Sequence, residues 1–169
     1  MSNTKKLVFA ALCIALGVAL PVAFHGVPNA GNIFLPMHIP VLIAGLLCGP
    51  WLGVAVGALT PLLSCLISGM PPVAYLPSMI CELAAYGLVA GLLAWLIRGR
   101  FGIVISLMGA MVAGRLVMGA LNALIFRAGE YSLSVWLTAS FVTALPGIII
   151  QLLLIPTVIF ALKKAKLIG

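Results

Sequence analysis

Between Lys6 and Arg98 the only formally charged residue is Glu82. A stretch so long and so poor in charge cannot supply the solvated surface of a water-soluble domain, whose residues are about 25% charged. The whole chain keeps to this pattern: of its 169 residues, 7% are charged and 64% are hydrophobic, with a mean hydropathy of +1.35. There are two acids, Glu82 and Glu130, against nine Lys or Arg. This balance excludes a soluble enzyme, a disordered chain and a disulfide-rich secreted module, and leaves an integral membrane protein. The net charge of +7 does not point to nucleic acid, because the basic residues stand at the ends of apolar runs rather than in a patch.

A helix needs about 20 apolar residues to cross about 30 Å of hydrocarbon. Barrel-type alternation is absent, so helices are what can satisfy the backbone in lipid. Six apolar segments, at 6–24, 37–48, 51–68, 77–97, 102–126 and 137–162, predict an all-α membrane protein with six transmembrane helices in one bundle, forming a single membrane domain over residues 1–169. The second segment is short, and reads as tilted or as running into the third through Cys48-Gly49-Pro50. The first is longer than a signal-peptide core and runs on through Pro21 to His25 without a clear cleavage site, so it is expected to be a mature helix. With six spans, Lys5, Lys6, Arg98, Arg100, Lys163, Lys164 and Lys166 all fall on one side. The positive-inside rule makes that side the cytoplasm and puts both termini there. The first two outer loops carry no Lys or Arg, and the third has only Arg127, close to Glu130.

Cys13, Cys48, Cys65 and Cys81 lie in or beside apolar segments with no short paired spacing, so neither a metal site nor a disulfide framework is indicated. Ala11, Ala15 and Ala19 recur every four residues on the first helix. Such a smooth stripe permits close backbone approach, either within the bundle or from another membrane subunit. Gly45, Gly49, Gly53 and Gly57 repeat the spacing across the second and third segments and read as internal packing.

An ionisable group inside a span is costly and is by default a functional hypothesis. Glu82 falls about one and a half turns into the fourth helix, and Arg115 about three turns from the outer end of the fifth. Each heads a helical face: Tyr75, Met79, Glu82 and Tyr86 on one, Arg115, Gly119, Asn122 and Phe126 on the other. Trp136, Ser140, Ala144, Gly147 and Gln151 make a third, small-and-polar stripe, with Pro146 placed to bend it. Three polar stripes, richest toward the outside, predict one cavity open to the extracellular face. The structural alternative is a Glu82–Arg115 pair that only fixes helix register. Asn122 and Gln151 read equally as helix–helix hydrogen-bonding groups, and His38 equally as a ligand contact or a helix cap. Trp136 and Tyr131 read as interfacial anchors. Two outer loops rich in Pro and Gly, with Asn29 and Asn32 in the first and Tyr75 in the second, are expected to be shaped rather than floppy.

The run from Leu35 to Gly57, with its Gly49-Pro50-x-x-Gly53-x-x-x-Gly57 turn, resembles the second-to-third helix region of the substrate-binding S components of energy-coupling-factor transporters. The Ala11, Ala15, Ala19 stripe resembles that family's docking motif, and size and six-helix topology match over nearly the whole chain. The resemblance implies a multi-pass protein of the bacterial plasma membrane that captures a vitamin at its outer face. It also implies two kinds of partner, a transmembrane coupling (T) component docked on the alanine stripe and two cytoplasmic ATP-binding subunits. Family pockets built from outer loops and outer half-helices correspond here to Asn29, Asn32, His38, Tyr75, Glu82, Tyr86, Arg115, Asn122 and Gln151. No cofactor is implied, and the chain itself is not expected to be an enzyme; it contains no Gly-x-x-x-x-Gly-Lys-Ser phosphate loop. A paired Glu82 and Arg115 suit a neutral ring such as a pyridoxine-like molecule. A free Arg115 suits a carboxylate such as pantothenate.

Two other classes compete. A small secondary transporter would use Glu82 to couple protons, but the two halves show no inverted repeat. An intramembrane metal enzyme would need clustered ligands, and the chain offers one intramembrane acid and two histidines.

Overall fold

A computed structural model describes residues 1–24, 26, 28–97, 101–129 and 131–168. The described residues form eight helices in chain order: α1 Asn3–Ala23, α2 Ala30–Phe34, α3 His38–Cys48, α4 Pro50–Ser68, α5 Leu76–Leu96, α6 Gly102–Leu121, α7 Leu133–Leu137 and α8 Leu145–Lys164. A 3₁₀ turn at Val73–Tyr75 leads into α5. The π-helical turns Asn122–Phe126 and Thr138–Thr143 prolong α6 and α7. Six stretches are long and apolar enough to cross a membrane: Asn3–Ala23, Ala30–Cys48, Pro50–Ser68, Val73–Leu96, Gly102–Phe126 and Leu145–Lys164. The second span reaches that length by adding α2 to α3 across Leu35, which sits in the left-handed region at φ 51°.

The sixth segment departs from expectation. The sequence pattern predicts one helix over 137–162, whereas the structure ends a short helical segment at Thr143 and starts α8 at Leu145. Ala144, at φ −82° and ψ −2°, makes the break. Pro146 in the first turn of α8 lacks the N–H that would have carried the ladder across it.

The inner ends converge. Cys48 at the end of α3 donates its Sγ–H to the Lys6 carbonyl at the start of α1, at 3.4 Å. Met1, Ile97, Gly102, Lys163 and Ile168 border a common cavity of about 300 Å³. Both termini therefore lie at the lysine-rich end, which the charge rule makes cytoplasmic. Arg98 and Arg100, part of the same charge argument, lie outside the described residues, as do His25 and Glu130. Trp51 and Trp95, largely exposed at the inner ends of α4 and α5, fit an interfacial belt.

The core is tightest where glycines let backbones touch. A Cβ on Gly53 would collide with the Gly87 carbonyl, and one on Gly87 with the Gly53 carbonyl. Gly57 abuts the Leu83 carbonyl and Gly45 the Gly87 carbonyl in the same way, so α3, α4 and α5 form one close-packed layer. Gly49 turns α3 into α4 at φ 98°, a conformation that only glycine adopts without strain. α1 turns Cys13, Gly17 and Pro21 inward and leaves Ala11, Ala15 and Ala19 exposed. Outward faces such as Ile105, Met108, Val112 and Leu116 of α6 are exposed and apolar, as a lipid-facing surface must be.

Candidate functional site

Inside this bundle α5 and α6 each bring one charged group to the same level. Glu82 is 4% and Arg115 6% exposed, with Arg115 Nη1 3.0 Å from Glu82 Oε1. The distance makes an ion pair, but the groups lack the alignment of a hydrogen bond. α3 supplies His38 from its first residue. His38 Nε2 stands 3.6 Å from the same Glu82 oxygen, beyond hydrogen-bond range. Its ring meets the buried Tyr86 edge-on, at 5.0 Å and 81°. No side chain caps α3, so His38 belongs to the cluster and not to the helix end. Tyr86 in turn fills the space left by Gly114, its Cε2 lying 2.7 Å from where a Cβ would stand.

The charges cancel, but the hydrogen-bonding capacity is not used up. Arg115 Nη2, both His38 ring nitrogens, Gln151 Nε2 and Ser140 Oγ are buried without a protein hydrogen-bond partner. Leaving a buried polar group unsatisfied costs about 1–3 kcal/mol, so such a set persists where it has a use. Glu82 Oε1 is unpartnered as well, and a neutral His38 ring offers one donor and one acceptor, so the donors a guest's acceptors would meet come chiefly from Arg115 and Gln151. The stripe running through Ser140, Ala144, Gly147 and Gln151 is buried throughout. Asn122 is buried too, but its Nδ2 donates to the Met118 carbonyl of its own helix at 2.9 Å.

Three residues expected in the site lie at the surface instead. Asn32 Nδ2 donates to Asn29 Oδ1 at 2.6 Å, both side chains being exposed. Tyr75, also exposed, lies beneath the Arg127 guanidinium at 4.7 Å. Nor is the cluster open to the outside as the polar stripes predict, its side chains being 3–7% exposed. The inner cavity and a groove of about 360 Å³ along Ser134, Val135, Thr138, Ala139 and Thr143 are bordered by none of its residues. The difference has a physical source in two outer segments that close over the bundle. α2 rests on α8, where Gly147 meets the Ile33 carbonyl and the Phe34 backbone. The other segment carries Trp136.

Trp136 is therefore not the interfacial anchor its position suggests. Its Nε1–H donates to the Arg115 carbonyl at 3.0 Å. The indole occupies the space a Cβ at Gly119 would need, with Cδ1 and Cε2 2.7 and 2.9 Å from that point. Arg115 followed by Gly119 on one face was the available sequence signal. Tyr131, likewise turned inward, donates its hydroxyl to Met118 Sδ at 3.7 Å. Partial burial, and then the negative field of Glu82, push its phenol above the ordinary value, while Arg127 and Arg115 oppose the shift. Among the described residues no group of three or more His, Cys, Asp or Glu could hold a metal ion.

A bundle of six spanning helices around a buried, charge-balanced polar cluster defines a membrane protein that handles a small solute. A family model described as "ECF transporter, substrate-specific component" matches residues 5–159, and the chain belongs to that family. It is a multi-pass membrane protein and the substrate-binding subunit of an ECF transporter. Membership implies a small-molecule substrate, a T component and ATPase partners. No curated protein and no solved structure gives a match.

Proposed function

We propose that this subunit captures a small, acceptor-rich B-type vitamin without net charge, of the pyridoxine-like kind, between α3, α5, α6 and α8. The observation that carries the reading is the mutual neutralisation of Glu82 and Arg115 at 3.0 Å. A guest with net charge would have to break that pair or remain unpaired in a low-dielectric site, which costs several kcal/mol. His38, Arg115 and Gln151 supply the donors, Tyr86 a ring wall, and Asn122 borders the site. Asn29, Asn32 and Tyr75 belong to the outer approach.

The chain works in the bacterial plasma membrane and delivers its ligand by docking Ala11, Ala15 and Ala19 on the T component, which two cytoplasmic ATP-binding subunits drive. The exposure of all three alanines supports this docking face. Mass spectrometry of the small molecule retained through detergent purification tests the ligand class. A neutral hydroxylated ring is the expected result, whereas a carboxylic acid such as pantothenate would transfer Arg115 from Glu82 to the ligand. Arg115→Ala and Glu82→Gln are expected to weaken binding about 10- to 150-fold, the equivalent of one charge-assisted hydrogen bond. Unchanged affinity in both would remove the cluster from the binding site. Uptake driven by a proton gradient in place of ATP would favour a secondary transporter using Glu82.

A further inference from the structure

The side chains of His38, Glu82 and Arg115 are 3–7% exposed, so a vitamin-sized molecule cannot reach them unless a covering element moves. Two outer segments stand next to the cluster, α2 shortly before His38 in the chain and the one whose Trp136 meets the Arg115 carbonyl, and they are held very differently. α2 is anchored on both flanks, by its backbone contact with Gly147 and by the stacking of Phe34 on Phe24 at 5.4 Å. It also leads directly into the buried Leu35 and Met37. The segment Leu133–Thr143 is held more lightly, its π-helical part touching α2 and α8 and its Trp136 ring resting on Gly119. α7 buries none of its five residues, and the π-helical continuation buries only Ser140. The segment ends at the break in Ala144, before Pro146. Its named polar tie to the bundle is the Trp136 indole, hydrogen-bonded to the backbone of Arg115 itself.

We propose that Leu133–Thr143 is a flap hinged at Ala144 that admits the ligand, and that Trp136 is its latch, seated in the gap left by Gly119 and closed on the Arg115 carbonyl. The proposal rests on the capture reading above. Gly119 lies one turn outward of Arg115 on the same helical face, so an indole seated there roofs the outward route along the guanidinium. The latch bond joins two protein groups and does not involve the ligand. Breaking it therefore speeds entry and release together and changes the equilibrium affinity little, whereas loss of a ligand contact raises release alone.

The test uses a chain in which Cys13, Cys48, Cys65 and Cys81 are replaced by Ala, with Ser140→Cys as reporter. Ser140 is fully buried on the flap's inner face, one turn from Trp136. The probe is a charged methanethiosulfonate reagent applied in detergent. Trp136→Phe keeps a ring but removes the donor, and Gly119→Ala displaces the indole without altering it. Each is expected to speed labelling about three- to tenfold, the effect of losing one hydrogen bond. Amide exchange on the protein with native cysteines gives a second reading, in which Trp136→Phe raises exchange in Leu133–Thr143 but not in α4 or α5. Unchanged labelling in either variant, or exchange rising equally through α4 and α5, overturns the latch. Labelling needs no ligand, so that failure would leave the capture reading standing, whereas an unrelated co-purifying molecule would leave the latch standing.

Discussion

At the scale of single residues, the Glu82–Arg115 pair has two roles that ordinary loss-of-function variants confound. Removing one partner of a buried ion pair costs about 3–5 kcal/mol, because the other is left charged in a low-dielectric interior. Arg115→Met alone is therefore expected to lower unfolding stability in detergent by about that amount. The double variant Glu82→Gln with Arg115→Met is expected to recover most of the loss, since no net charge then stays buried. Ligand affinity separates the roles: it stays lost in the double variant if these groups touch the ligand, and returns with stability if the pair only locks helix register. That the two residues stand buried and face each other was legible in the sequence, because an ionisable side chain within an apolar run is conspicuous on cost alone. The inward stripe of Trp136, Ser140 and Gln151 was legible, but the partner of the Trp136 indole was not. An indole near a span end reads as a boundary anchor, and its acceptor, a backbone carbonyl 21 positions away, leaves no mark on composition. The exposure of Asn29, Asn32 and Tyr75 was not legible for a related reason, since polarity in an outer loop does not tell whether the side chain turns toward the bundle or toward water.

At the scale of elements, glycine spacing was a reliable guide. Gly45, Gly53 and Gly57 meet the backbone of α5, the internal packing that the four-residue repeat predicts, and Gly87 on α5 answers them, whereas Gly49 serves the turn and has nothing within 4 Å of an added Cβ. Substituting Gly87→Ala opposes two effects. Helix propensity favours alanine by about 1 kcal/mol, but the new methyl would collide with the Gly53 carbonyl, a backbone atom that cannot rotate away. Overpacking of this kind costs about 1–3 kcal/mol, so a net loss of thermal stability in detergent is expected. Because α4 and α5 must part to relieve the collision, and Glu82 sits little more than one turn from Gly87, ligand affinity falls as well. Gly31→Ala on α2, with nothing within 4 Å of the added carbon, is the matched control and changes neither quantity. The break between α7 and α8 was only half legible. Pro146 announced a disturbance, yet whether a proline bends a helix or ends it depends on what the freed backbone meets, and hydropathy runs smoothly through both outcomes.

At the scale of the whole molecule, charge set the orientation and small residues set the contacts, and the two together support the docking role proposed for α1. Its Cys13, Gly17 and Pro21 face holds it to the bundle, with Gly17 pressed against Thr60 and Pro40. The opposite face presents Ala11, Ala15 and Ala19 beside the exposed Leu12 and Leu16. Lipid chains gain nothing from a groove of alanines, but a partner helix does, because small side chains let its backbone come close enough for extensive van der Waals contact. A bulky side chain there cannot disturb the bundle it points away from, yet it must hold a partner off. Ala15→Trp is accordingly expected to leave ligand affinity and thermal stability within error of the parent protein while abolishing ATP-driven uptake in vesicles that contain the full transporter. Pull-down of the coupling subunit should fall in parallel with uptake. Loss of affinity together with transport would assign the stripe to internal packing, and full transport by the variant would move the docking face elsewhere on the molecule.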